Sequence, residues 1–309
     1  MIEFQRKLLG DGGRNSAFYQ ALKQVIVPGV TTVADIGAGT GFLSFLAEQL
    51  GAASCTLYEF GEIAGLARSL IKKNGMKKCR IVAKHSQRVK PSDQVDLVIS
   101  ETLGNFAYEE HILETMADAK RFLKQGGTMI PQRLTQKIAP IVHERLWNEI
   151  NVWDRVGFGI DFTDAKEIGL NNMYVKTVFP ADLLPGSDVL HVWDIVDFRE
   201  KNSSVRTGRG TWTADEPGTL FGFAVSWDCE LVPGITLSTS PFAPATHWEQ
   251  IVLPLMTPIA FPAKAQITVD VRSDTRPEAG VRVQWETHVA GPDGKRLAAQ
   301  KMDMQRGML

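Results

Sequence analysis

The sequence predicts an α/β chain, a doubly wound parallel-sheet domain followed by an antiparallel β domain. Up to residue 130, short apolar runs alternate with stretches of helical period, the pattern of strands joined by crossovers. Beyond residue 140 the texture changes. All seven tryptophans lie there, among period-two runs split by glycine, proline and aspartate. At 309 residues the chain also exceeds the usual size of one domain. We place the boundary at Pro131, giving domains 1–131 and 132–309.

The elements follow in order. DGGRNSAFYQAL reads as an N-terminal helix, and TTVADIG as the first strand. GFLSFLAEQLG reads as a helix with Phe42, Leu43, Phe45, Leu46 and Leu50 on one side. SCTLYEF is a strand, EIAGLARSLIKKNG a helix with a glycine stop, and CRIVAK and VDLVIS are further strands. EEHILETMADAKRFLKQGG reads as a helix closed by Gly126 and Gly127. In the second domain KIAPIVHE, TLFGFAVSWDCEL, EQIVLPL, QITVDVRS and VRVQWETHV read as antiparallel strands.

Charge excludes some partners. The chain carries 34 basic and 35 acidic residues, so no overall field recruits nucleic acid. KKNGMKK, residues 72–78, reads as a solvated helix end. Cys55, Cys79 and Cys229 have no short metal-ligand spacing, and no metal is expected. Sparse, odd cysteines suggest reduced thiols and a cytoplasmic protein. MIEFQRKLLGDGG lacks the apolar core of a signal peptide, and no run is long enough to span a bilayer, so no membrane partner is expected.

Two motifs carry chemistry. VADIGAGTGFL sets Gly37, Gly39 and Gly41 between strand and helix, where glycine allows a tight turn and close approach of a ligand. Glu59 ends the next strand, 24 residues after Asp35, where a carboxylate can accept both hydroxyls of a ribose. The dinucleotide fingerprint would need glycine at position 42, which is Phe. The second motif is SETLGNFAYEEH. Its glutamates, Glu101, Glu109 and Glu110, have no lysine or arginine among them, so their cation must come from elsewhere.

The glycine loop resembles the S-adenosylmethionine loop of class I methyltransferases, and the whole resembles the protein arginine methyltransferases. In that family two glutamates nine residues apart grip a substrate guanidinium, and Glu101 and Glu110 have that spacing. ATHWEQ, residues 245–250, resembles the family's Thr-His-Trp loop, and DGGRNSAFYQAL its Asp-x-x-Arg segment. The resemblance implies a Rossmann-like methyltransferase domain, a β-barrel domain, and a dimerisation arm near 153–173. Arg14 would hold the carboxylate of S-adenosyl-L-methionine, alongside Asp35, the loop glycines and Glu59, with Gln87 at the adenine. Asp11 would pair with His247, and Trp248 reads either as a wall of the substrate channel or as core of the β domain.

The implied reaction is N-methylation of an arginine guanidinium in a protein or peptide by a homodimer. A guanidinium spreads its charge over three nitrogens and is a poor nucleophile. Two carboxylates localise that charge and aim the remaining nitrogen. Glu110, or the Asp11–His247 pair, would take the released proton. Methylation of free arginine or another small guanidine would use the same glutamates, and a non-catalytic cofactor-binding scaffold is a third reading. The family's Tyr-Phe-x-x-Tyr segment is not found in the ten residues before Asp11, which implies a shorter lid or one completed by a partner. Leu8 falls where Met or Phe helps set the product, and it selects none.

Overall fold

The computed structural model describes residues 2–91 and 93–308. The chain divides into two compact units. The first comprises residues 1–134 with 196–202 and 229–237, and the second comprises 135–195, 203–228 and 238–309.

The first unit opens with two helices, α1 (Ile2–Gly10) and α2 (Gly12–Val25). The Asp11 carboxylate caps α2 by accepting the Arg14 amide at 2.9 Å. The sheet and its crossovers follow as β1 (Thr32–Ile36), α3 (Phe42–Gln49), β2 (Ser54–Tyr58), α4 (Ile63–Lys73), β3 (Cys79–Val82), β4 (Val95–Ser100), α5 (Ile112–Ala119) and β5 (Leu123–Ile130). The order is β3-β2-β1-β4-β5, and every pairing is parallel. Order reverses between β1 and β4, so a crevice opens at their carboxyl ends.

Two expectations are corrected here. The helix read through Gly127 ends at Ala119, and after a short turn the chain becomes β5. Phe122 is buried against the Tyr58 ring at 4.9 Å and fixes the point where the chain turns into the sheet. Pairing with β4 then overrides helical period. The register jumps from Val95↔Leu123 to Leu97↔Thr128, and a Cβ at Gly127 would lie 2.9 Å from the Asp96 carbonyl. The buried face of α3 is Leu43, Ser44 and Ala47, not the stripe of large apolar residues. Small side chains let α3 lie close to the sheet, and the Ser44 hydroxyl donates to Asp35 at 2.7 Å.

The remaining strands and α-helices are β6 (Arg133–Ile141), α6 (Glu144–Ile150), α7 (Thr163–Leu170), β7 (Tyr174–Lys176), β8 (His191–Asp197), β9 (Val205–Thr213), β10 (Gly218–Val232), β11 (Ile235–Ser238), β12 (Gln250–Phe261), β13 (Gln266–Asp274), β14 (Arg282–Ala290) and β15 (Arg296–Asp303). They form a six-stranded path, β7-β12-β10-β6-β8 with β11 beside β10, and a four-stranded sheet, β15-β14-β13-β9. Where the resemblance implied a barrel, the strands form two antiparallel sheets. Tryptophans join them. The indole of Trp285 on β14 donates to the Pro254 carbonyl on β12 at 2.9 Å, and Trp212 on β9 packs against Phe223 on β10. Burial alternates along β14, as a sheet with one covered face requires.

Candidate functional site

Three carboxylates mark the crevice of the first unit. Asp35 lies near the end of β1, Glu59 just past β2, and Glu101 just past β4. They line a cavity of about 310 Å³ together with Gly37, Gly39, Arg14 and Glu110. Helix α1 contributes Phe4, Gln5, Leu8 and Leu9 to its wall.

The glycine loop is shaped by its backbone. Gly37, Gly39 and Gly41 have φ of 72°, 55° and 88°, a region that disfavours side chains. At Gly41 a Cβ would also stand 2.8 Å from Leu57 and 2.9 Å from Phe45. Glu59 ties this loop to the next. One oxygen accepts the Gly39 amide at 2.9 Å and the other the Gly61 amide at 2.7 Å. Asp35 is buried, and burial pushes its carboxyl up to about 6 despite the Ser44 hydrogen bonds.

The three glutamates of SETLGNFAYEEH have separate jobs. Glu109 folds back over its own loop and accepts the Asn105 amide at 2.7 Å and the Phe106 amide at 2.8 Å. Gly104 makes room for it, since a Cβ there would stand 2.3 Å from the Glu109 Cγ. Burial holds the Glu109 carboxyl above its ordinary value. Glu101 receives Arg14. Nε donates at 2.9 Å and Nη2 to the same oxygen, while the other oxygen accepts the Leu103 amide at 3.3 Å. Both side chains are almost fully buried. Glu110 is open to the cavity yet set deep among protein atoms. That burial, then repulsion from Glu101 and Glu109, raises its carboxyl to about 7.

The cavity thus brings together Arg14, Asp35, Gly37, Gly39, Glu59, Glu101 and Glu110. Gly41 shapes the loop from behind, and Asp11 supports it by capping α2. Gln87 is exposed on a short turn after β3 and is not among the lining residues. His247 and Trp248 belong to the second unit. There Trp248 is buried edge-on against Trp227 at 4.9 Å, and the His247 ring lies 4.0 Å from it. Among the described residues there is no His, Cys, Asp and Glu cluster suited to a metal, and no helix is long and apolar enough to cross a membrane.

Sequence reasoning missed several lining residues. Phe60 is 71% exposed, lines the cavity and packs beside His85 at 5.0 Å. A large aromatic directly after the strand-end Glu59 was the available signal. Gln5 lies over the loop, 3.3 Å from where a Gly39 Cβ would be, and nothing in MIEFQRKLLG announces that.

A crevice acid on each of three neighbouring strands, a left-handed glycine loop and a following antiparallel domain define a Rossmann-like methyltransferase fold with a β domain. The profile of the arginine methyltransferase oligomerization subdomain matches residues 134–288, and that of ribosomal protein L11 methyltransferase (PrmA) matches 16–155. The chain belongs to the protein arginine methyltransferase family. It is 29% identical over 300 residues to the histone-arginine methyltransferases CARMER of Drosophila ananassae and Drosophila mojavensis, covering 93% of this chain and 56% of each relative. The chain therefore spans about half the length of these curated relatives.

Among solved structures it resembles the Trypanosoma brucei PRMT1 enzyme-prozyme heterotetrameric complex with AdoHcy, at TM-score 0.85 and 24% identity, covering 97% of this chain and 98% of that one. It also resembles protein arginine methyltransferase 10 of Arabidopsis thaliana, at TM-score 0.83 and 20% identity, with 98% of each chain covered. These likenesses establish the fold.

Proposed function

We propose that this chain is an S-adenosylmethionine-dependent N-methyltransferase acting on the guanidinium of arginine in a protein or peptide. The observation that carries the reading is the single cavity that holds a ribose-type acid, Glu59, a glycine loop, and the two glutamates Glu101 and Glu110. The cofactor fits the residues present. Glu59 offers acceptors to ribose hydroxyls, Arg14 a cation to a carboxylate, and a Cβ at Gly37 would crowd Thr102 at 3.0 Å, so the loop keeps backbone accessible.

When bound, the cofactor supplies an electrophilic methyl group on a sulfonium. The remaining work falls to the chain. Glu101, fixed by Arg14 and the Leu103 amide, presents an oriented acceptor to one edge of the guanidinium. Glu110 faces the same cavity and ionises near neutrality, so it can hold the cation and then keep the proton released from the reacting nitrogen on a carboxylate oxygen. Holding the nitrogen in line replaces a chance encounter with a fixed approach. Glu109 does neither, because it lies outside the cavity lining and folds back onto the loop backbone.

In this reading residues 1–131 bind the cofactor, and residues 132–309 carry the substrate domain and the arm. Residues 153–173 reach a second copy of the chain. Phe158 is 95% exposed and Ile160 61%, on a segment inside the match to an oligomerization subdomain. The three thiols are free and buried, which supports a reducing compartment such as the cytoplasm.

The test incubates the full chain and its Glu101→Gln and Glu110→Gln variants with radiolabelled S-adenosylmethionine, arginine-rich peptides and free arginine. Transfer to peptide by the parent alone is the expected result. Normal transfer by either variant, or transfer to free arginine only, would replace the proposal.

A further inference from the structure

The balanced charge of the chain hides a local imbalance. Residues 63–92 hold nine of its 34 basic residues and none of its 35 acidic ones, so the rest of the chain is clearly acidic. All nine are exposed. Six of them, Arg68 to Arg80, follow one edge of the parallel sheet, because β3 is its edge strand and α4 packs on β3. Arg68, Lys72 and Lys73 lie on α4, Lys77 and Lys78 on the turn, and Arg80 on β3. Lys84, Arg88 and Lys90 continue along the segment leading to β4. None of the nine is ion-paired among the described residues. Glu48 of α3, which reaches this turn, spends its oxygens on the Lys77 and Lys78 amides, at 2.7 and 3.0 Å.

Ordinary structural needs account for part of this. Cations at the end of α4 complement its dipole, and a charged residue on β3 discourages stray strand pairing. Neither explains Lys84, Arg88 and Lys90. Nor does either explain Arg68 one helical turn from Lys72, where like charges repel.

We propose that this edge is a docking surface for an acidic, extended segment of a protein partner. Charge complementarity points to a polyanion, since clustered unpaired cations attract one and repel the basic sequences that surround a target arginine. The chemistry of the strip selects a polypeptide over a nucleic acid. Residues 61–92 contain no Phe, Tyr or Trp, and the exposed Phe60 next to them packs beside His85 and lines the cavity, so successive bases would find no row of stacking platforms. The helix end nearest the cations is the carboxyl end of α4, which does not present amides to phosphate. The open edge of β3 adds a row of backbone groups for an extended chain to pair with. Such docking would select substrates or partners by an acidic stretch remote from the arginine.

The test measures fluorescence anisotropy of a labelled short poly-glutamate peptide with the full chain and with the Lys72→Glu/Lys73→Glu/Lys77→Glu/Lys78→Glu variant. Binding should weaken about tenfold in the variant and fall as salt rises, as expected for exposed charges. Thermal unfolding checks that the variant folds. If it does not, the milder Lys84→Gln/Arg88→Gln/Lys90→Gln variant is read in its place, with a smaller loss expected. Equal binding by parent and folded variant, or no binding to the parent, overturns the proposal. So does displacement of the peptide by a single-stranded oligonucleotide or anionic vesicles at lower concentration than unlabelled peptide.

Discussion

The guanidinium of Arg14 holds the carboxylate of Glu101 inside the cavity, with Nε 2.9 Å from Oε2 and Nη2 bonded to the same oxygen. The residues are 87 positions apart and nearly fully buried. Removing one partner of such a pair leaves an uncompensated buried charge, which costs about 3–5 kcal/mol. Arg14→Ala should therefore lower stability by roughly that amount as well as remove activity. Arg14→Lys keeps the charge but loses the planar fork, so it should retain most stability and still lose turnover. Denaturant titration of both variants separates the two effects. If Arg14→Ala is as stable as the parent, the pair does not support the fold.

In the proposed reaction Glu110 should set the pH dependence. Its carboxyl is raised to about 7, first by burial and then by Glu101 and Glu109. A protonated Glu110 neither attracts a guanidinium nor accepts its proton. The kcat/KM for an arginine peptide should rise with pH through about 7 and then level off, since this ratio reports ionisation in the free enzyme. Glu110→Gln should be slow and flat over the same range. A parent profile without an inflection between about pH 6 and 8 would remove Glu110 from this role.

Asp35 makes an opposite contribution to stability. Its folded pKa, about 6, lies above the ordinary value of 3.8, so the folded chain binds more protons than the unfolded chain between them. Stability from this group therefore falls as pH rises from about 4 to 6 and stays low above that. The gap of about two units corresponds to about 3 kcal/mol. Asp35→Asn, which stays neutral, should melt higher than the parent at pH 7.5, with the difference shrinking towards pH 4. Scanning calorimetry across that range measures it, and a difference that grows on acidification would contradict the sign.

What the sequence made legible was local chemistry at strand ends. Gly37, Gly39 and Gly41 announce a turn that only glycine fits, and Glu59 follows at the spacing of one crossover. The alternation of strands and helices likewise predicted the parallel sheet. What it hid depends on contacts distant in sequence. No pattern links Arg14 to Glu101. Ser44, in a helix read by its large apolar residues, is buried because it donates to Asp35. Gly126 and Gly127 look like a helix stop, yet they lie in β5 because the edge of β4 needs a partner. Near-zero net charge concealed the basic edge because the compensating acids lie elsewhere in the chain.

Glu109 shows how a residue can matter without touching a substrate. Its two oxygens hold the Asn105 and Phe106 amides, and Gly104 leaves the space it occupies. Glu109→Ala frees both amides and loosens the loop that places Glu110. A misplacement of about 1 Å at the reacting group can cost about a hundredfold in rate. Glu109→Ala should thus lose kcat with cofactor affinity unchanged, and Gly104→Ala should behave in the same way. Glu109→Gln, which keeps one good acceptor, should recover part of the rate. Loss of cofactor affinity equal to the loss of kcat would mean that the whole cavity, not the loop, had been disturbed.

The proposed arm makes the last prediction. Val156, Phe158 and Ile160 are exposed around Gly157 and Gly159, both at positive φ. Exposed apolar side chains on a segment of this kind mark an association surface, and aromatic anchors dominate such surfaces. Phe158→Asp introduces a charge that would be buried on association, so it should shift the chain from dimer to monomer in light scattering. Phe158 is 95% exposed in the single chain, so its substitution should leave the melting temperature of the monomer nearly unchanged. If the parent already has the mass of one chain at micromolar concentration, or if Phe158→Asp keeps the mass of two, residues 153–173 do not serve as the arm.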